Sequence, residues 1–236
     1  MLPGTDVRDV RYSQLLAFFI PLGLTSCLIT VSHIIINSTL ARSPDPELTI
    51  SLYAIAMSIL GLTERPALML RQTCSALVRD RRSFRAMGRV TIVVLAAIFA
   101  LGMFISYTGA GALLFARFFG VEPEHIGTTV DVYRILMFVS IFSGIRCMYQ
   151  GIIISNMRTK WLTFGMVIRL AVMSLVALFF IATDRVTSPV VGAVIFVVGL
   201  AVEAGCAYWE GRRLVPRYPE ALPDYPVRTA KDVFRF

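Results

Sequence analysis

Residues 161–182 read WLTFGMVIRLAVMSLVALFFIA, a stretch of 22 residues whose only charge is Arg169. About 20 apolar residues in an α-helix are enough to cross the hydrocarbon core of a bilayer. Five further stretches of similar character lie at 15–40, 50–70, 90–115, 130–155 and 189–209. The sequence therefore predicts an all-α, polytopic membrane protein built as a bundle of six transmembrane helices.

The composition also indicates a membrane protein. Of the 236 residues, 56% are hydrophobic and only 16% are charged, whereas soluble domains carry about 25% charged residues. The stretch 15–40 has no charge and no clear cleavage site, so we expect it to remain as the first span and not to be removed as a signal peptide. The four cysteines are scattered without metal-ligand spacing, and we predict no disulfide framework, metal or cofactor.

The distribution of basic residues predicts the orientation. Outside the spans, sixteen Lys and Arg lie in the N-terminus, 71–89, 157–160 and the C-terminal tail, and three lie in the other loops. This excess predicts a multi-pass protein of the cell membrane with both termini in the cytoplasm. Because the net charge of +8 follows the topology, we predict no nucleic-acid partner. We expect one domain over 1–212 and a proline-rich, disordered cytoplasmic tail over 213–236.

The basic segment 71–89 has two interpretations. Its arginines alternate with Leu77, Val78 and Phe84, so the segment could lie along the inner leaflet and bind anionic lipids. Alternatively, its charge only fixes the topology.

Charged residues inside the predicted spans are the strongest functional signal. Each costs roughly 2.5–3.5 kcal/mol to insert, so such residues usually face a bundle interior or a water-filled cavity. There are five on the cytoplasmic side: Glu64, Arg65, Arg146, Arg169 and Glu203. Counting 1.5 Å per helical residue gives depths of about 9 Å for Glu203, 10 Å for Glu64, 12 Å for Arg169 and 15 Å for Arg146.

If these helices converge, three arginines face two glutamates in a cavity suited to a carboxylate, a phosphate or a pyrophosphate. Arg146 is the leading candidate because it is the deepest. The alternative is a structural role, with pairs such as Glu64 with Arg146 and Glu203 with Arg169. Glu203 is also shallow enough for its side chain to snorkel to the interface.

A helix break is predicted in the second span. Gly61 and Pro66 flank Glu64 and Arg65, and a proline inside a helix removes one backbone donor and displaces the residue before it from helical torsions. A broken helix at membrane depth is tolerated where it lines protein or a wet cavity, and it recurs in transporters.

Several short stretches carry a family resemblance: FFIPLGL at 18–24, ERP at 64–66, GVE at 120–122, GIR at 144–146, GII at 151–153 and VIRL at 167–170. In pattern and order they resemble the C-terminal half of the progressive ankylosis protein family. More broadly, residues 12–212 resemble one six-helix half of the multidrug and toxic compound extrusion (MATE) and polysaccharide or lipid flippase (MOP) superfamily.

The resemblance implies an architecture. Members of that superfamily have twelve helices in two six-helix bundles around a central cleft and work by alternating access. A single bundle implies that two copies, related by a two-fold axis normal to the membrane, form the cleft. Many exporters of this type use an acidic residue in the first helix for cation coupling, and 15–40 has none, which argues against cation-coupled drug export.

Together these features predict a half-size transporter or flippase that acts as a homodimer and moves an organic or lipid-linked anion. The rival is a non-transporting membrane scaffold or regulator whose intramembrane charges are structural pairs. An enzyme is not expected, because no Ser-His-Asp set, metal-ligand cluster or phosphate-binding glycine loop is present in the sequence.

Overall fold

The computed structural model describes residues 12–222, 227 and 229–233. The N-terminal residues 1–11, predicted to be cytoplasmic, and the tail residues Pro223 and Pro226 lie outside this part of the chain. The described residues form ten α-helices and no strand: α1 Tyr12–Leu40, α2 Pro46–Thr63, α3 Arg65–Leu77, α4 Arg81–Tyr107, α5 Gly109–Phe119, α6 Pro123–Leu136, α7 Val139–Ser155, α8 Lys160–Ala182, α9 Val190–Leu214 and α10 Ala230–Val233.

The predicted all-α bundle with six spans is confirmed. Six helical segments are long and apolar enough to cross a membrane: Gly23–Leu40, Pro46–Thr63, Arg81–Tyr107, Pro123–Ser155, Lys160–Ala182 and Val190–Arg217. The chain is therefore a multi-pass membrane protein.

Three predicted spans are divided between two helices, at Glu64 in the second, Thr108 in the third and 137–138 in the fourth. Thr108 has extended torsions and is the N-cap of α5: its side-chain oxygen accepts a hydrogen bond from the Ala110 amide at 3.3 Å. The division at 137–138 involves Met and Phe, with neither Pro nor Gly at these positions, so hydropathy gave no sign of it.

The segment 71–89, expected to be a loop, is mostly helical. Only residues 78–80 connect α3 to α4. Asp80 and Ser83 form a capping box: the Ser83 amide donates to Asp80 Oδ1 at 2.6 Å, and the Asp80 amide donates to Ser83 Oγ at 3.1 Å. These bonds satisfy the first amides of α4, so the helix begins well before its apolar part.

The described part of the tail packs against the end of the bundle that holds the α3–α4 connection, in contrast to the disorder expected for 213–236. The Arg81 amide donates to the Pro219 carbonyl at 3.0 Å, and the Leu222 amide donates to Asp80 Oδ2 at 3.0 Å. Val227 is 1% exposed. We call this end, which holds the α3–α4 and α7–α8 connections and the tail, the basic end.

The bundle is built around α9, which packs against α7 and α8 and also contacts α1 and α6. Its interior contains two separate apolar clusters. The first includes Ile36, Leu60, Leu136, Met173 and Leu200. The second lies at the basic end and includes Leu70, Met87, Met148, Ile152 and Leu214.

Candidate functional site: a charged layer inside the bundle

Three of the five predicted site residues meet in one cluster, each from a different helix. Arg169 of α8 donates from Nη1 to Glu203 Oε2 of α9 at 2.8 Å. Arg146 of α7 donates from Nη1 to Glu203 Oε1 at 3.2 Å and lies 3.4 Å from Oε2. Gln150 Nε2, one turn along α7, donates to Glu203 Oε1 at 2.9 Å. We call Arg146, Gln150, Arg169 and Glu203 the Glu203 cluster.

The cluster is buried and carries a surplus of positive charge. The side chains of Glu203, Arg169 and Arg146 are 2%, 4% and 12% exposed. One carboxylate lies between two guanidinium groups, which leaves a net charge of +1. The Nε atoms of Arg146 and Arg169 are buried and have no hydrogen-bond partner in the described part of the chain. Both arginines therefore keep a donor that no described residue uses.

The cluster lies in a layer between the two apolar clusters. On α9, Leu200 belongs to the first apolar cluster and Leu214 to the second, with Glu203 between them. The α2–α3 junction lies between the same two clusters. Leu60, before Glu64, belongs to the first apolar cluster, and Leu70, after it, belongs to the second. Four charged residues share this layer: Glu64, Arg146, Arg169 and Glu203.

A close approach of α8 and α9 positions the Arg169–Glu203 pair. Gly199 lies one turn before Glu203, and a Cβ there would overlap the Met173 side chain and lie 3.3 Å from Arg169 Cγ. The absence of a side chain at residue 199 therefore brings the two helices within ion-pair distance. The Arg169 guanidinium carbon also lies 5.1 Å from the ring centroid of Phe196, a cation–π contact.

Of the two other predicted charges, Glu64 lies at the edge of the cluster and Arg65 lies away from it. Glu64 is partly buried and close enough to interact electrostatically with Arg146. The two form no direct ion pair, because Arg146 pairs with Glu203 instead. Arg65 is exposed, and within the described chain it makes no ion pair. The sequence places it beside Glu64 on the cytoplasmic side of the second span, but its direction around the helix was not predicted.

The chain is interrupted at Glu64, between Gly61 and Pro66. Glu64 has φ −83° and ψ −14°, so the interruption is a single turn residue with near-helical torsions. The expected displacement of Arg65 from helical torsions is wrong, because Arg65 begins α3 and Pro66 needs no amide partner in this first turn. Pro66 lies in the first turn of α3, where its missing amide is tolerated. The junction lies at the level of the charged layer.

Glu203 does not snorkel to the interface. Its side chain is 2% exposed, and both carboxylate oxygens accept hydrogen bonds from residues of α7 and α8. Snorkelling, which keeps the charged group in water, therefore does not describe this side chain.

Sequence reasoning missed Gln150. A neutral amide in a span is unremarkable by itself, but Gln150 lies four residues after Arg146 and so shares its helix face. His33 of α1 stacks on Phe196 with ring centroids 6.4 Å apart. Through Phe196, α1 is connected to the surroundings of Arg169.

Charged groups also lie outside this layer, and two of them include acidic side chains that could be mistaken for a site. Glu210 is 2% exposed and pairs with Arg158 Nη1 at 2.8 Å at the basic end, where the Arg158 side chain is 41% exposed. At the opposite end, ligand atoms of Glu122, Glu124 and His125 lie within 4.8 Å of one another. Both glutamates are exposed, and the prediction of no metal or cofactor stays a prediction.

The fold and the site together describe a six-helix membrane bundle divided by an internal charged layer. No model of a known protein family matches the chain, and neither does any curated protein. Solved structures do match. One is a MOP superfamily transporter from Pyrococcus furiosus Vc1, described as having a binding pocket of reverse polarity that suggests a different function. Another is a multidrug resistance MATE family transporter of the MOP superfamily in an outward-facing conformation.

Each of these two structures superposes with a TM-score of 0.66 at 19% sequence identity, over 94% of this chain and 50% of the solved chain. The chain thus has the fold of about half of such a transporter and spans about half the length of either protein. At the level of fold the expected superfamily resemblance is confirmed. The closer resemblance to the progressive ankylosis protein family stays a prediction.

Proposed function

We propose that this protein is a half-size MATE/MOP-like transporter or flippase that acts as a homodimer and moves an organic or lipid-linked anion by alternating access. The observation that carries the proposal is the Glu203 cluster: two buried arginines on one carboxylate, in a fold that corresponds to half of a transporter.

The charge of the cluster supports an anionic substrate. Arginine forks match carboxylate and phosphate oxygens, and both Nε donors lack an acceptor within the described chain. Arg146, the most exposed member of the three charges, contacts the substrate first, and Arg169 contacts it from the next helix. Glu203 holds both guanidinium groups in place. In the Pyrococcus furiosus protein a pocket of reverse polarity is associated with a different function, which supports the idea that pocket charge selects the substrate in this fold.

The interruption at Glu64 supports alternating access. A junction between two helices at the level of the site lets one half of a span move relative to the other, as discontinuous helices do in transporters. We propose that Glu64 and Arg65 change their distance from Arg146 during this movement and that Gly61 and Pro66 form the hinge.

Polar faces on α1 and α2 support the homodimer. Thr30, His33 and Asn37 recur at helical spacing on α1 and are all exposed, as are Ser51 and Ser58 on α2. Polar helix faces at membrane depth normally face protein or a water-filled cavity and not lipid. A second copy facing these helices would enclose them in a cleft. In this arrangement the protein lies in the cell membrane with both termini in the cytoplasm.

Ligand binding tests the role of the arginines. Pyrophosphate and a panel of carboxylates and phosphates should raise the melting temperature of the wild type. Arg146→Ala and Arg169→Ala should each weaken this effect about tenfold or more, because a charge-assisted hydrogen bond contributes roughly 1.5–3 kcal/mol. Arg146→Lys should weaken it less, and Arg158→Ala, outside the layer, should leave it unchanged. Equal stabilisation of all variants, or binding of cations only, would contradict the anion assignment.

Mass in lipid tests the assembly. Nanodiscs should contain twice the chain mass of 26.2 kDa. Cross-linking in native membranes should trap the same species. A monomer in lipid, or a stable complex with a different chain, would remove the homodimeric cleft.

A scaffold or regulator is the second candidate, and one observation favours it. Arg169 pairs with Glu203 as a structural pair would, and both carboxylate oxygens already accept hydrogen bonds. In a scaffold, Arg146→Ala should impair folding or assembly, and neither the wild type nor the variant should show anion flux. In a transporter, the variant should assemble normally and lose anion flux in proteoliposomes.

A further inference from the structure

The first turns of α4 present a row of arginines on one helix face. Arg82, Arg85 and Arg89 follow at intervals of three and four residues, so they are neighbours on the helix surface, and all three are exposed. Together with Ala86 and Glu220 they line a groove of about 400 Å³ at the basic end.

None of these arginines forms an ion pair within the described part of the chain, although Arg82 lies close enough to Asp80 to interact with it electrostatically. Arg85 donates from Nε to the Arg81 carbonyl at 3.3 Å, and none of the three forms an ion pair there. Glu220 faces the same groove and also makes no ion pair with a described residue. The charged residues that line the groove are thus three exposed arginines and one exposed glutamate, and the buried Asp80 offsets part of the charge of Arg82.

Hydrogen bonds on both sides of Glu220 hold it at the groove. The Pro219 carbonyl accepts from the Arg81 amide, and the Leu222 amide donates to Asp80. The Tyr218 hydroxyl lies 2.8 Å from Asn156 Nδ2 on the far side of the tail. The carboxylate is therefore placed beside the arginines by the fold and not by a mobile end.

The same face of α4 continues into exposed apolar residues. Ile92 and Val93, one turn beyond Arg89, are 68% and 63% exposed, and Ala96 is exposed after them. In a membrane-spanning helix such residues contact acyl chains, so the arginines before them lie at the level of the lipid headgroups. A ligand bound in the groove would have a phosphate at the arginines and apolar chains along Ile92.

We propose that this groove binds the headgroup phosphate of an anionic phospholipid from the leaflet at the basic end, with the acyl chains against α4. Glu220 limits the affinity by repelling the headgroup. The ligand is a membrane lipid and not a free phosphate, because the exposed apolar residues that follow the arginines on α4 would contact acyl chains, which a soluble anion lacks. This site is separate from the Glu203 cluster, so it stands whether or not the protein transports anything.

The test compares lipid binding by two triple variants with the same loss of charge. Native mass spectrometry of the purified full chain, titrated with phosphatidylglycerol or phosphatidylcholine, gives the affinity for each lipid. The wild type should prefer phosphatidylglycerol. A basic residue near an anionic surface contributes about fivefold, so Arg82→Ala/Arg85→Ala/Arg89→Ala should reduce this preference by at least about tenfold. The control Arg212→Ala/Arg213→Ala/Arg217→Ala removes three exposed charges from the same end and should change it far less.

Two further measurements keep the test decisive if the alanine triple fails to fold or inserts incorrectly. Glu220→Gln preserves the arginines and should raise the affinity for phosphatidylglycerol about fivefold, while inorganic phosphate should not displace the lipid. An equal affinity for both lipids, equal losses in both triples, or no gain in Glu220→Gln would each overturn the proposal. Displacement by millimolar phosphate would show an ordinary anion site.

Discussion

The two groups of arginines in this protein occupy opposite environments. Arg146 and Arg169 lie inside the bundle and share one buried carboxylate, whereas Arg82, Arg85 and Arg89 lie on an open helix face with no ion pair in the described chain. Contacts among three packed helices hold the first group in place. The second group lies on a single helix, and only the residue spacing along α4 brings its side chains together.

The difference shows how the same side chain acquires two kinds of function. A buried guanidinium must be matched by partners in a defined geometry, because an uncompensated charge at depth costs several kcal/mol. Loss of the carboxylate that both guanidinium groups share should therefore affect folding as well as binding. An exposed guanidinium stays hydrated, and it contributes through its charge more than through a defined geometry. We expect the buried Arg169–Glu203 pair to be intolerant of change and the exposed row to tolerate substitution by lysine.

The largest expected effect is that of Glu203→Ala. Removing the carboxylate leaves two buried guanidinium groups facing each other, and breaking a buried ion pair in this way costs about 3–5 kcal/mol. Denaturant unfolding in detergent should show this loss. Glu210→Ala is the matched control: the glutamate is equally buried on α9, but its partner Arg158 is 41% exposed and can rehydrate. A loss in Glu210→Ala as large as in Glu203→Ala would remove the contrast between the layer and the basic end.

Gly199→Ala should have the next largest effect. The added Cβ overlaps Met173 and presses on Arg169, so α8 must move away from α9, and overpacking of this kind costs about 1–3 kcal/mol. Gly205→Ala on the same helix meets nothing within 4 Å. It should be neutral or stabilising by about 0.5–1 kcal/mol, the difference in helix propensity. Equal melting temperatures for the two variants would show that the close approach does not position the ion pair.

Asp80→Ala should have a smaller effect, confined to the basic end. It removes the N-cap of α4 and the acceptor for the Leu222 amide, and loss of an N-cap costs about 0.5–2 kcal/mol. Limited proteolysis should then cleave the tail faster while the Glu203 cluster still binds anions. Normal protection of the tail in this variant would show that Asp80 does not hold it.

The same residue predicts a pH dependence. Burial raises the pKa of Asp80, but hydrogen bonds from Ser83 and Leu222 and the charge of Arg82 outweigh it, so the pKa is lower than usual. A lowered pKa stabilises the fold fully above the ordinary value of about 3.9, and this contribution is lost as the pH falls through the folded-state pKa. The difference in melting temperature between wild type and Asp80→Asn should therefore be constant above about pH 5 and should shrink on further acidification.

Much of the fold could be predicted because a long apolar stretch in a membrane must form a helix that satisfies its own backbone hydrogen bonds. The interruptions of these helices were harder to predict. Pro66 marked the division at 64, but Met137 and Phe138 are ordinary helix residues, and only packing decides that the helix ends there. The segment 71–89 was mistaken for a loop because its charges obscured the helical spacing of Arg82, Arg85 and Arg89, which the sequence contains.

The site could be predicted in part because charged residues are rare inside membrane spans, so Arg146, Arg169 and Glu203 were easily recognised. Which of them meet depends on their direction around each helix and on how closely the helices pack. The position of a charge along its span could not exclude Arg65, and it did not indicate that Glu203 would pair with both arginines. Gln150 carries no charge and gave no comparable signal, although its spacing from Arg146 places it on the same face.

The smallest expected effect is that of Arg82→Lys/Arg85→Lys/Arg89→Lys. All three positions are exposed without ion pairs in the described chain, so the free energy of unfolding should change by no more than about 0.5 kcal/mol. Arg169→Lys, a single substitution, should cost more than the whole triple, because an ammonium group on a different stem reproduces neither the Nη1 bond to Glu203 nor the contact of the planar guanidinium with the Phe196 ring. Denaturant unfolding of both proteins in the same detergent measures the two losses side by side. If the triple is the less stable protein, the exposed row supports the fold and does more than attract lipid, and the division between buried and exposed arginines has to be abandoned.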